Sequence, residues 1–166
     1  MCGIVGLFLK DKALEPDLGQ MLSDMLITMS DRGPDSAGIA VYADPVDGIG
    51  KITLQSDFAD TDFGGLDAEL GVAISGDVSL VRRDTHAVLH LPLDKVADAR
   101  SALAGLRPQA RIMGVGEALE IYKEVGLPKD VVDRFGIRAI AGTHGIGHTR
   151  MATESAVTTL GAHPFN

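Results

Sequence analysis

The sequence has one cysteine, no tryptophan and only 4% aromatic residues among its 166 positions. A single cysteine excludes an intramolecular disulfide, as is typical of proteins in a reducing compartment. The chain also has no apolar run of the roughly 18 residues that a membrane-spanning helix needs. We therefore expect a cytoplasmic protein with no membrane partner.

Positive charge is also scarce. The chain has 15 Lys and Arg against 23 Asp and Glu, a formal net charge of −8. Nucleic acids and anionic membrane surfaces are bound through basic faces, so neither is expected as a partner. The 45% hydrophobic and 23% charged content is ordinary for a globular protein, and the length suits one domain with an insertion.

Cys2 stands before an apolar run over residues 3–9, which predicts a buried strand. If Met1 is removed, Cys2 offers a thiol and a free α-amine on one residue. The amine has an ordinary pKa of about 7.7–8.0, so it can move the thiol proton without a separate histidine. An N-terminal residue of this kind is a known nucleophile arrangement. On position alone, an inert thiol on an edge strand fits equally well.

The next segments alternate helix and strand. A glycine-proline turn at 33–34 holds Arg32 and Asp35 and leads into a strand at 39–42, although an ordinary surface loop would look the same. A hairpin-type turn at 44–48 then predicts a third strand at 51–55. Before this turn, helical spacing predicts a one-faced core helix from Leu18, Met21, Leu22, Met25, Leu26 and Met29.

From about residue 57 the pattern changes to a small α/β insertion, predicted over 57–115. Its helix carries Val96, Ala99, Leu103 and Leu106 on one side, and its short strands are predicted at 71–74, 86–91 and 111–115. The predicted core, residues 1–56 and 116–166, continues with a strand at 119–125, a helix at 129–135 and a glycine-spaced strand at 142–153. Pro128 and Gly136 mark the ends of that helix.

Two H-x-x-x-H pairs, His86/His90 and His144/His148, raise the question of a metal site. On a helix this spacing puts both imidazoles on one face. On the predicted strands the two rings of each pair lie roughly 13 Å apart, which is too far to share an ion. We therefore expect no metal and no cofactor.

Three motifs together resemble the class II glutamine amidotransferases, which are N-terminal-nucleophile hydrolases. They are Cys2-Gly3-Ile4-Val5-Gly6, the segment 31–38, and Gly147-His148-Thr149-Arg150-Met151-Ala152-Thr153 followed by His163-Pro164-Phe165. The resemblance covers residues 1–56 and about 116–166. It is strongest to amidotransferase subunits of the glutamate synthase and N-methylglutamate synthase type.

The resemblance implies an α+β fold with an αββα sandwich core and hydrolysis of L-glutamine to glutamate and ammonia through a thioester. The ammonia passes to a partner synthase domain or subunit. By the resemblance, Cys2 is the nucleophile and its own amine the base, and Arg150 binds the α-carboxylate of glutamine. By the same resemblance, Thr153 and His163 line the substrate pocket, and the supporting turn of Arg32 and Gly33 lies against the N-terminal residue Cys2.

The family pattern also includes, downstream of the His-Pro segment, an oxyanion-stabilising Asn-Gly pair and an acidic residue that binds the substrate amine. The sequence ends at Asn166 before either, so we expect the N-terminal part of a longer protein with an incomplete core. Two alternatives remain open. One is a catalytically incomplete regulatory or structural subunit. The other is a different N-terminal-nucleophile amide hydrolase, which Arg150 argues against because it implies a carboxylate-bearing ligand.

Overall fold

The chain forms two compact units in a computed structural model that describes residues 2–152 and 157–164. One unit contains Met1–Asp44 and Ile121–Asn166, and the other contains Pro45–Glu120. The described residues form, in chain order, β1 Gly3–Phe8, α1 Leu18–Ile27, β2 Ser36–Tyr42, β3 Ile49–Gln55, α2 Ala59–Phe63, α3 Leu66–Ile74, β4 Ser79–Arg83, β5 His86–Pro92, α4 Val96–Leu106, β6 Arg111–Gly116, β7 Leu119–Val125, α5 Pro128–Phe135 and β8 His144–Arg150.

The sheet of the first unit has the strand order β1-β8-β2-β7. Strand β8 is antiparallel to both of its neighbours, with Gly3 opposite Thr149 and Ser36 opposite Arg150. The sheet thus brings the start of the chain against a strand end about 146 positions away. Antiparallel pairing combined with helices agrees with the predicted α+β class.

Helix α1 packs against β1 and β8 through leucines. Leu18, Leu22 and Leu26 follow each other at four-residue spacing and have no exposed surface. The predicted core helix is therefore confirmed, since such a stripe is what an amphipathic helix buries. The methionine part of this prediction is wrong, because Met25 is 36% exposed and Met29 lies beyond the end of α1.

Helix α5 has the boundaries that the sequence predicts. Pro128 stands in its first turn, where its missing N–H costs no helical hydrogen bond. Gly136 caps the other end with a φ of 60°, a left-handed conformation that glycine adopts without strain. No helix in the described part of the chain has both the length and the apolar character to cross a membrane.

The second unit is built on a sheet of order β4-β5-β3-β6. Strand β3 pairs antiparallel with β5 and β6, and β5 pairs antiparallel with β4. The predicted helix that buries Ala99 and Leu103 is confirmed as α4. The hydrophobic core of the second unit contains side chains of the sheet, of α3 and of α4, among them Ile52, Leu54, Leu66, Leu70, Leu89 and Leu103.

The strand predicted at residues 71–74 is wrong, because these residues form the end of α3. Leu66, Leu70 and Ile74 are buried at four-residue spacing, whereas Val72 is 82% exposed. Burial of this helical stripe overrides the strand preference of a short apolar run.

The second unit is also wider than the insertion predicted for residues 57–115. Strands β2 and β3 belong to different sheets, so the turn at 44–48 does not close a hairpin between them. Local preference identifies β3 as a strand, but its sheet is decided by its pairing with β5 and β6. That this unit is an insertion into a catalytic core remains a prediction.

Candidate active site

Cys2 is exposed at the start of β1, and its thiol is free. The N–H of the next residue, Gly3, donates to Thr149 Oγ1 at 3.2 Å, and that hydroxyl donates to the carbonyl oxygen of Met29 at 3.3 Å. Thr149 is completely buried. A satisfied, buried hydroxyl therefore fixes the backbone from which the Cys2 thiol projects.

Arg150 ends the strand that pairs with β1. Because Thr149 stands opposite Gly3 in the antiparallel register, Arg150 follows at the end of the pair where Cys2 precedes β1. The strand that ends at Arg150 therefore lies against the strand that Cys2 precedes. The substrate-binding role of Arg150 remains a prediction.

Asp35 holds the backbone around Arg150, a role that the sequence did not reveal. The Asp35 N–H donates to the Arg150 carbonyl at 3.1 Å, and Asp35 Oδ2 accepts the Ala152 N–H at 2.7 Å. The Asp35 carbonyl accepts the Gly126 N–H at 3.0 Å. The turn formers at 33–35 indicated an ordered loop, but its hydrogen-bond partners come from distant segments.

Gly33 packs directly on the Arg150 backbone. A Cβ atom at position 33 would lie 2.6 Å from both the backbone nitrogen and the carbonyl carbon of Arg150, so this approach requires glycine. The side chain of Arg32 is exposed. The predicted contact of the Arg32-Gly33 turn with Cys2 stays a prediction, and the predicted pocket residue Thr153 lies outside the described residues.

His163 meets a partner that the sequence analysis did not assign to the site. His163 Nδ1 lies 3.0 Å from Nε2 of the buried His148, and the two rings are nearly perpendicular at 71°. One of these nitrogens must carry the shared proton. His148 stands in β8 two positions before Arg150, so the pair links His163 to the strand that carries the arginine.

The surroundings of this pair disfavour protonation of both histidines. Burial lowers the pKa of His148 below its usual 6.5, and the neighbouring His163 lowers it further. Burial also lowers the pKa of His163, with added effects from the charges of Arg150 and Lys123. The pair can therefore donate and accept one hydrogen bond near neutral pH without adding positive charge.

Acidification is expected to destabilise the first unit through this pair. Below the ordinary histidine pKa the unfolded chain binds protons that the folded pair excludes, so the free energy of unfolding falls with pH until the folded pKa values are reached. Denaturant unfolding of wild type and His163→Gln at about pH 7.5 and about pH 5.5 measures this. The wild type should lose more stability than the variant, and equal losses would contradict the assignment.

The segment 157–164 crosses strand β2 at Gly38. A Cβ at position 38 would overlap the carbonyl oxygen of His163 and lie 2.7 Å from Cβ of Lys123. Lys123, in the neighbouring β7, is only 1% exposed. The residues that position His163 thus come from β2 and β7, which carry none of the site residues predicted from sequence.

The histidines of the two H-x-x-x-H pairs lie on strands, as predicted: His86 and His90 on β5, His144 and His148 on β8. Among residues 2–152 and 157–164, no group of three or more His, Cys, Asp or Glu side chains is arranged to hold a metal ion.

Comparison with known proteins identifies relatives of this chain. Glutamine amidotransferase-like protein GlxB of Rhizobium meliloti is 60% identical to the chain over 167 residues, covering 100% of the chain and 55% of that protein. A putative glutamine amidotransferase of Methanothermobacter thermautotrophicus is 30% identical over 173 residues, covering 99% of the chain and 56% of that protein. These relatives support a glutamine amidotransferase family.

The chain spans about half the length of these two curated relatives. A glutamine-fructose-6-phosphate aminotransferase (isomerizing) of Thermococcus kodakarensis is 36% identical to the chain over 53 residues, which cover 32% of the chain and 9% of that protein. No protein-family model matches the chain.

Proposed function

We propose that this chain supplies the nucleophile and the substrate-binding arginine of a class II, N-terminal-nucleophile glutamine amidotransferase. The observation that carries the proposal is the pairing of β1 with β8, which joins the exposed Cys2 at the start of one strand to Arg150 at the end of the other. The names of the relatives support glutamine as the substrate. The ammonia released would pass to a partner synthase domain or subunit.

In the proposed reaction Cys2 supplies both the nucleophile and the base, and water is the second reactant. With Met1 removed, the α-amine accepts the thiol proton as sulfur attacks the side-chain carboxamide carbon of glutamine. The amine then gives this proton to the leaving nitrogen, the C–N bond breaks, and ammonia departs from a thioester. Water, activated by the same amine, hydrolyses the thioester to glutamate and restores the thiol.

Arg150 would bind the α-carboxylate of glutamine. A guanidinium forms two parallel hydrogen bonds with a carboxylate, which fixes the substrate's orientation as well as its distance. The backbone that carries Arg150 is held by Asp35 and packed against Gly33, so the side chain starts from a fixed position. Thr153 and His163 would line the same pocket.

Arg150→Lys is expected to raise the KM for glutamine about tenfold, because an ammonium cannot reproduce the two-pronged contact. Steady-state glutamine hydrolysis by the full-length protein measures this. The rate of Cys2 alkylation by a small neutral reagent should remain unchanged, since that reagent has no carboxylate.

The matched control is Arg138→Lys. Arg138 is partly exposed and pairs with Asp24 on α1 at 2.7 Å, so its replacement should leave the KM unchanged. An Arg150→Lys protein with a normal KM for glutamine would contradict the assignment. That result would instead favour an N-terminal-nucleophile hydrolase whose substrate carries no carboxylate at this place.

A further inference from the structure

Lys123 is a buried cation beside the candidate site that the proposed reaction does not use. It is 1% exposed, although lysine is among the residues least often found fully buried. Burial lowers the pKa of its amine, because desolvation disfavours the charged form. The free-energy cost of burying an amine is offset where its N–H groups form hydrogen bonds.

The Lys123 amine lies between two backbone carbonyls that flank His163. Its Nζ donates to the carbonyl oxygen of Leu160 at 3.5 Å and to that of Pro164 at 3.3 Å. Both contacts are longer than a typical N–H···O bond, so the amine bridges the two carbonyls rather than binding one closely. A single side chain thereby connects both sides of His163 to β7.

The next residue of β7 holds the same segment from the other face. The Glu124 carboxylate accepts the Thr159 hydroxyl and the Val125 N–H, the latter at 2.8 Å, and lies 3.6 Å from an Arg134 nitrogen. Successive side chains of a strand point to opposite faces. Lys123 and Glu124 therefore extend from opposite faces of β7, an edge strand of its sheet, and each forms hydrogen bonds with the segment 159–164.

We propose that Lys123 is a positioning residue, which holds the segment 159–164 across β2 and thereby sets the position of the His163 ring. The packing supports this, because the stem of Lys123 and the carbonyl of His163 both lie against Gly38. With the ring set in this way, His163 Nδ1 stays within hydrogen-bond distance of His148. The consequence for catalysis rests on the proposed function, but the structural role does not.

The test replaces Lys123 with methionine, which has a similar length and no donors, in the full-length protein. We expect amide hydrogen exchange in the segment 157–164 to accelerate about tenfold, and exchange in α1 to stay unchanged. Histidine NMR should show a raised pKa for His163, because a neighbouring positive charge is gone. If the protein hydrolyses glutamine, its KM should rise about tenfold with a smaller change in kcat.

Two further variants complete the test. Lys129→Met makes the same replacement at an exposed lysine of α5, paired with Asp133, and should change none of these readouts. Lys123→Arg keeps donors for both carbonyls and should restore most of the protection. If Lys123→Met does not fold, Lys123→Gln, which is too short to reach both carbonyls, takes its place.

Unchanged exchange in 157–164 together with an unchanged His163 pKa would overturn the proposal. Faster exchange and a shifted pKa with an unchanged KM would support the positioning role of Lys123 and overturn only its consequence for substrate binding. If even the wild-type protein hydrolyses no glutamine, the proposed function fails, while exchange and NMR still decide the role of Lys123.

Discussion

Cys2→Ser is expected to reduce glutamine hydrolysis by the full-length protein roughly 10³- to 10⁶-fold, the range seen when a hydrolase loses its nucleophile. A hydroxyl in place of the thiol is a much weaker nucleophile near neutral pH. The fold should persist, because the Cys2 side chain is exposed and the hydrogen bond that fixes β1 belongs to the Gly3 backbone. Ammonia release and denaturant unfolding measure the two effects.

A second change separates the thiol from the amine. One residue inserted before Cys2 leaves the thiol in place but removes its free α-amine, so hydrolysis should fall while alkylation of the thiol continues. Cys2 is the single cysteine among these 166 residues, and peptide mapping of the alkylated full-length protein identifies its modification. Active protein that retains Met1 by intact-mass measurement, or an inserted variant of normal activity, would contradict the mechanism.

Local patterns predicted the parts of the fold that depend on neighbouring residues. The spacing of Leu18, Leu22 and Leu26 predicted α1, and Pro128 with Gly136 predicted the ends of α5. Helix periodicity and capping depend on residues within one or two turns of each other, so they can be recognised in the sequence. The pairing of β1 with β8 does not follow from such local patterns. No local rule pairs two strands so far apart in the chain.

The sequence did not reveal what positions His163. Strand alternation normally leaves alternate residues facing water, yet both Lys123 and Glu124 are buried. Lys123 contacts the segment 157–164, whereas Glu124 contacts Thr159 of that segment and Arg134 of α5. The His148 contact has the same origin, since a loop rather than a strand brings His163 to it. Such contacts depend on the path of an irregular segment. Hydrophobic periodicity predicts helices and strands but not the path of a loop.

Gly38→Ala is expected to displace this segment and weaken both stability and substrate binding. The new methyl group would overlap the His163 carbonyl oxygen and press on the Lys123 stem. Overpacking of this kind typically costs about 1–3 kcal/mol in free energy of unfolding, which denaturant unfolding measures. The His163 carbonyl oxygen and the Lys123 Cβ would both have to move, and both help to place His163. If the same free energy is lost from substrate binding, the KM for glutamine should rise up to about a hundredfold.

Gly105→Ala is the matched control, since the added methyl group meets no atom within 4 Å. Gly105 lies inside α4, where alanine is favoured over glycine by about 0.5–1 kcal/mol, so this variant should be slightly more stable and unchanged in KM. The same chemical change would then have opposite effects on stability at the two positions. A Gly38→Ala protein with wild-type stability and KM would show that the segment 157–164 does not rest on β2 in solution, and the proposed placement of His163 would fail with it.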